Sequence, residues 1–299
     1  MSQQDVPVPA GTVEAIVGPT GAGKSRLAME RARTSDVPVE VVAVDAFTIY
    51  RGMDIGTAKP PPADRAAVPH HMVDVLAPDE DVTVAWFQRE ARATIAAVLA
   101  RGARPLLVGG SGLYFRAVVD DLRFPPTDPD VRAAIEARWV DDPRAGHAHL
   151  AGLDPDAASR IEPDNLRRTV RALEVLELTG ERFSAFATAW DDHVSIYDDL
   201  AVTYVEPAAG VLRDAITTRA HAMVEAGLLD EARALRAAHP GGVSTTAAQA
   251  IGYGEAFAVL DGHDPVEGLA DRIATRTWRY ARRQRSWFRR DPRCVPAAP

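Results

Sequence analysis

Gly18-Pro19-Thr20-Gly21-Ala22-Gly23-Lys24-Ser25 has the form G-x-x-x-x-G-K-S/T of a P-loop. The flanking residues suit the motif. Val13–Val17 is a short apolar run that fits a buried strand. From Ser25 to Arg33 the composition favours a helix, with Leu27, Ala28 and Ala32 at helical spacing. Gly18, Gly21 and Gly23 let the backbone turn its N–H groups inward, and the helix N-terminus adds positive potential, so phosphate oxygens are held there. Lys24 neutralises the terminal phosphate charge, and the Ser25 hydroxyl can ligand Mg²⁺. The stretch therefore predicts a nucleotide-binding or other di- or triphosphate site.

Working outward, the 299 residues are 46% hydrophobic and 25% charged, an ordinary globular composition. Met1–Asp5 has neither a basic nor an apolar leader region, and no apolar run approaches membrane-spanning length. The lone cysteine, Cys294, has no internal partner. A cytoplasmic chain with no membrane contact is expected. The net charge of −8 counts against nucleic acid only if the basic residues are spread evenly, and they are not.

Val39–Val44 reads as a second strand and ends in Asp45. A carboxylate at that end of a parallel strand faces the ligand crevice, as a Mg²⁺ ligand, a general base or a loop cap. Ile49–Pro60 (IYRGMDIGTAKP) follows neither helical nor strand period and reads as a binding loop. In Pro69-His70-His71 the two imidazoles would point to opposite faces of a strand, which disfavours a shared metal. Val84–Arg101 is an amphipathic helix ended by Gly102. Arg104–Phe115 reads as a strand running into a glycine turn that presents Ser111. No strand is evident from about Thr127 to Asp192; helices are expected at Asp130–Trp139 and Pro163–Thr179, with a short one from Asp154. Arg167, Arg168 and Arg171 neighbour one another on the second. Leu200–Val205 returns to strand, Val211–Ala226 and Leu228–Ala238 read as helices, and Gln249–Glu255 reads as a turn exposing Tyr253. The final helix, Arg272–Arg293, carries nine arginines and one acid, Asp291, with Trp278, Tyr280, Trp287 and Phe288 interleaved. Arginine forks suit phosphates and aromatic rings suit unstacked bases, so RNA is the expected partner. The architecture predicted is α/β: a P-loop NTPase-like parallel sheet flanked by helices over residues 1–126 and 197–299, with an inserted all-helical subdomain over 127–196.

Together these motifs resemble one family, the bacterial tRNA dimethylallyltransferases. The matching pieces are Gly18–Ser25, Val44-Asp45, Ile49–Pro60, Pro69–His71, Leu107–Tyr114 (LVGGSGLY), Arg171–Val175 with Thr179-Gly180, Gln249–Tyr253 and Ala281–Arg289 (ARRQRSWFR). They run in family order over nearly the whole chain. The resemblance implies transfer of a dimethylallyl group from dimethylallyl diphosphate to the exocyclic amine of the adenosine 3′ of the tRNA anticodon. The P-loop residues Gly18, Pro19, Thr20, Gly21, Ala22, Gly23, Lys24 and Ser25 would then hold the leaving diphosphate with Mg²⁺ on Ser25. Asp45 would be the general base, and Ser111, where the family often has Thr, would position the base or the Asp45 carboxylate. The resemblance also places Ala46, Phe47, Thr48, Ser111, Gln249 and Tyr253 at the RNA. Arg132, Arg167, Arg168 and Arg171 would grip the anticodon stem-loop, and Arg282, Arg283, Gln284, Trp287 and Arg289 its backbone. The protein is expected to act as a monomer. Ala46, Phe47 and Thr48 depart from the commoner polar residues after the aspartate, and Gly254 stands where Lys or Arg is usual. The rivals are an ATP-using small-molecule kinase, which needs no basic aromatic tail, an adenylate isopentenyltransferase, which needs no helical insertion, and a non-catalytic RNA-binding P-loop module, which needs no Asp45 at a strand end.

Overall fold

The computed structural model describes residues 12–186 and 192–296; the Met1–Asp5 stretch read for targeting lies outside them. The chain forms two compact units, Met1–Val119 with Ser195–Pro299, and Asp120–Val194.

In the first unit, near-continuous apolar runs make strands buried on both faces, as parallel sheets require. The strands are β1 (Val13–Val17), β2 (Val39–Val44), β3 (His70–His71), β4 (Arg104–Gly109), β5 (Leu200–Tyr204) and β6 (Val295–Pro296). They form one sheet in the order β3-β2-β4-β1-β5-β6, parallel throughout. Val17 and Val44 both pair with Gly109, and Val17 also pairs with Tyr204. The strands therefore end level, and Gly18, Asp45 and Gly110 leave the sheet along one edge. Helices α1 (Lys24–Thr34), α2 (Pro62–Ala67), α3 (Val84–Ala100) and α4 (Gly112–Val119) follow in the first half. The α3 stripe of Phe87, Ala91, Ile95 and Val98 is fully buried, and Thr83 caps its start by accepting from Trp86 N at 3.1 Å.

The second unit is helical among its described residues: α5 (Pro129–Trp139), α6 (Pro143–Leu153), α7 (Pro155–Ala158) and α8 (Leu166–Thr179). Asp128, Asp142 and Asp154 each cap a helix whose first residue is proline. Ile135, Leu150, Ile161, Val170 and Leu173 form its core. Back in the first unit come α9 (Ala209–Glu225), α10 (Leu228–Ala238), α11 (Thr245–Ala248), α12 (Tyr253–Leu260) and α13 (Leu269–Phe288). Among the described residues no helix is long and apolar enough to cross a membrane.

Three local expectations change. The run Arg104–Phe115 is strand only to Gly109, and Ser111 O accepts Phe115 N at 2.9 Å to open α4. Seven of the eight α4 residues are buried, so its sequence shows no amphipathic period to mark a helix after the glycine turn. Helix α6 was not anticipated, because its two glycines and two histidines weaken the helical pattern. Tyr253 opens a helix and is 0% exposed, a correction to its reading as an exposed turn residue.

Candidate active site

The P-loop is built as its glycines require. Gly21 and Gly23 have φ of 83° and 88°, which side chains disfavour. A Cβ on Gly18 would lie 2.3 Å from Val205 O, so the close approach of β1 and β5 admits only hydrogen there. Lys24 Nζ donates to Pro19 O at 2.8 Å, folding the lysine back over the loop. Burial is the main force pushing Lys24 down to about 8, with the Arg219 guanidinium adding to it and Asp45 opposing. Ser25 is exposed at the start of α1. Two P-loop residues serve the scaffold: Pro19 has no N–H and gives its carbonyl to Lys24, and the Thr20 N–H donates to Gln284 Oε1 at 2.9 Å.

Asp45 sits at the end of β2, half-buried. Its Oδ1 accepts from Phe47 N at 2.9 Å and Thr48 N at 3.4 Å, which fixes the carboxylate at the strand end. Phe47 and Thr48 line the cavity, with the Thr48 hydroxyl buried and without a hydrogen-bond partner. Ala46 is half-buried beside them. Ser111 lies one residue past the cavity wall at Gly110. Its hydroxyl accepts from Tyr114 N at 3.5 Å, and no hydrogen bond joins it to Asp45, so in this structure it caps α4.

The loop Ile49–Pro60 is held by a buried lysine and by carboxylates around it. Lys59, its side chain 2% exposed, bridges Asp54 at 2.7 Å and Asp74 at 2.5 Å. The Glu231 carboxylate accepts from Asp54 N, Ile55 N and the Tyr253 hydroxyl. The Tyr253 ring packs on Gly56, where a Cβ would lie 2.4 Å from it. Tyr253 thus anchors the loop and is not available to RNA. The histidines divide as strand geometry predicts: His70 lines the cavity, and His71 pairs with Glu40, which Arg101 holds down at about 2.

P-loop, Asp45 and the 56–60 segment enclose a cavity of about 410 Å³. Two of its walls come from helices whose cavity-facing residues, Gln284 apart, were not read from sequence as site residues. One is α9, whose Ile216, Arg219, Ala220 and Met223 all face the cavity at spacings of one or two turns. Arg219 donates to the Thr20 hydroxyl and stands as a second cation beside Lys24. The other is α13, which supplies Ile273, Thr277, Tyr280 and Gln284. No motif marks Arg219; only the amphipathic stripe of α9 hints at it. Among the described residues no group of three His, Cys, Asp or Glu could hold a metal ion.

The residues assigned to RNA separate into an exposed set and a set held in ion pairs or buried. Arg167, Arg168, Gln249, Arg282 and Arg283 are exposed, and Trp287 is 43% exposed. Arg132 and Arg171 instead pair with Glu174, which is 0% exposed. Burial raises the Glu174 pKa, but Arg171, the Asp128 N–H and Arg132 together hold it below the usual range. Arg289 shares Glu206 with Arg285. Phe288 belongs to the core and Trp278 packs against it. Gln284 is 4% exposed with both amide ends bonded to backbone, so its assignment to RNA is corrected. At Gly254, Arg276 Nη1 lies 3.0 Å from where a Cβ would stand, so a guanidinium already occupies that space.

The sequence matches the IPP transferase family over residues 48–291. A tRNA dimethylallyltransferase of Parafrankia sp. is 48% identical, covering 95% of this chain and 87% of its own length. Another from Mycobacterium tuberculosis is 46% identical over 93% of this chain and 90% of its own length. The solved tRNA isopentenylpyrophosphate transferase of Bacillus halodurans is 37% identical with a TM-score of 0.66, covering 96% of this chain and 89% of its own. A eukaryotic dimethylallyltransferase solved acting on tRNA has a TM-score of 0.79 at 26% identity, covering 93% of this chain and 70% of its own. With sequence matching over almost its full length and its fold shared with solved relatives, the chain belongs to the IPP transferase family, the tRNA dimethylallyltransferases.

Proposed function

We propose that this enzyme transfers the dimethylallyl group of dimethylallyl diphosphate to the exocyclic amine of the adenosine 3′ of the tRNA anticodon, giving isopentenyladenosine and diphosphate. One observation carries the reading: an anion cradle with Lys24 and Arg219 and a strand-end carboxylate share a cavity whose remaining walls are largely apolar. Such a cavity suits a donor with a charged head and a hydrocarbon tail.

The P-loop N–H groups, Lys24 and Arg219 bind the diphosphate and stabilise the charge that grows on it as the allylic C–O bond breaks. The amine nitrogen forms the new C–N bond and loses a proton to Asp45. The two backbone bonds to Oδ1 hold that carboxylate in place, and the other oxygen takes no hydrogen bond from a described residue. The adenine must leave its stack to enter, at a cost of roughly a few kcal/mol. Apolar Phe47 and Ile251 and the buried Thr48 hydroxyl are the surfaces that meet it. Exposed Arg167, Arg168, Arg282 and Arg283, with Trp287, are the candidate contacts to the anticodon stem-loop. Ser25 is the protein donor suited to Mg²⁺, which keeps water and phosphate oxygens as its other ligands and so needs no protein cage. When bound, it adds charge neutralisation at the leaving diphosphate. Activity as a monomer is part of the same proposal.

The test uses Mg²⁺ and radiolabelled dimethylallyl diphosphate with either an anticodon stem-loop carrying that adenosine or free AMP. Label in the RNA alone supports the proposal. Label in AMP moves the acceptor to the free nucleotide, and hydrolysis of added ATP without prenyl transfer assigns the P-loop to ATP.

A further inference from the structure

Gln284 stands in sequence among the arginines of α13, yet its side chain turns the other way. Its Oε1 accepts the Thr20 N–H at 2.9 Å, and its Nε2 donates to Gly110 O at 2.7 Å. One buried amide therefore joins the P-loop to the turn after β4. Thr20 continues the chain of contacts, because its hydroxyl accepts from Arg219. The fit around the amide is close: a Cβ on Gly110 would lie 2.5 Å from Nε2. Three residues on, the Trp287 ring lies against Gly112, where a Cβ would be 2.7 Å away. This face of α13 is thus moulded to the glycine turn, and the exposed Arg282 and Arg283 lie off it.

We propose that Gln284 is a positioning residue of the diphosphate site. By taking up the Thr20 N–H it sets the entry of the P-loop and, through Thr20, the place of the Arg219 guanidinium. A phosphate cradle acts through donors already aimed at the anion, so loosening its entry weakens diphosphate binding without touching the RNA surface. The inference rests on the reading that a diphosphate occupies the P-loop.

The test compares the full-length wild type with Gln284→Met, which keeps the length of the side chain and removes both hydrogen bonds. A second variant, Gly110→Ala, leaves the glutamine in place and displaces its amide, its Cβ also lying 3.1 Å from Gly18 O, so agreement between the two variants is what assigns the effect to the amide. Each protein is titrated by calorimetry with inorganic diphosphate and Mg²⁺, and separately with the anticodon stem-loop. Both variants are expected to bind diphosphate about tenfold more weakly and to raise the KM for the prenyl donor in step, with RNA affinity unchanged. Loss of RNA affinity with diphosphate binding intact would return Gln284 to the RNA surface. Equal losses of both would make it a general structural residue. A wild type that binds no diphosphate would overturn the P-loop reading itself.

Discussion

Asp45→Asn retains an oxygen to accept from Phe47 N and Thr48 N, so the strand end keeps its geometry while the base is lost. Turnover is expected to fall by about 10²–10⁴ with stem-loop affinity unchanged, and single-turnover prenyl transfer measures it. A rate near wild type would remove Asp45 from proton transfer. Lys24 gives a pH signature with a definite sign. Held near 8 chiefly by burial, it is protonated below that pH and loses its charge above it. Donor kcat/KM should therefore fall as pH rises through about 8, since this ratio reports the free enzyme. In Lys24→Arg the cation persists, and that descending limb should vanish from the profile. These two residues were legible from the motif and the strand end. Arg219 was not, because nothing in its neighbourhood distinguishes it from other helix arginines until α9 lies against Thr20.

Helix α9 orders the cavity along its axis. Ile216 packs under the P-loop, where a Cβ on Gly21 would lie 3.0 Å from it. Arg219, three residues on, is the proposed partner of the charged head, and Met223 lines the wall a turn further, about 6 Å along the helix. Met223 is 9% exposed, and on the proposed reading its end of the helix takes the hydrocarbon tail. Met223→Ala should deepen that end and raise kcat/KM for the ten-carbon geranyl diphosphate relative to the five-carbon donor by about tenfold. An unchanged ratio in a competition assay would show that the tail lies elsewhere. Among elements, the aspartate-proline start of α7 and the apolar stripe of α3 could be read directly, and α5 was read from Asp130, one residue inside its start. The same signature starts α6 but was outweighed by glycine and histidine within it, and α4 hid because burial on every side erases helical periodicity.

At the scale of the molecule, every residue lining the cavity belongs to the first unit. The chain leaves and re-enters that unit at neighbouring points, since Ile196 N donates to Val119 O at 2.8 Å. Replacing residues 120–194 by a short glycine linker should leave inorganic diphosphate binding within about twofold of wild type and sharply weaken stem-loop binding. Calorimetry on the two ligands checks both halves, and loss of the diphosphate site would show that the insertion supports the cradle. The sequence by itself determined the P-loop, the strand that delivers Asp45, the helical insertion and the basic last helix. These are local patterns, in which glycine, apolar spacing and charge run dictate backbone form and surface. Only the tertiary structure decided which side chains do what within them. It buried Gln284 and Tyr253, bound Arg132 and Arg171 to Glu174, and brought Arg219 to Thr20 across 199 residues of chain. The physical reason is that a buried polar group left without a partner is costly, and the partner it finds is set by packing and not by its neighbours in sequence.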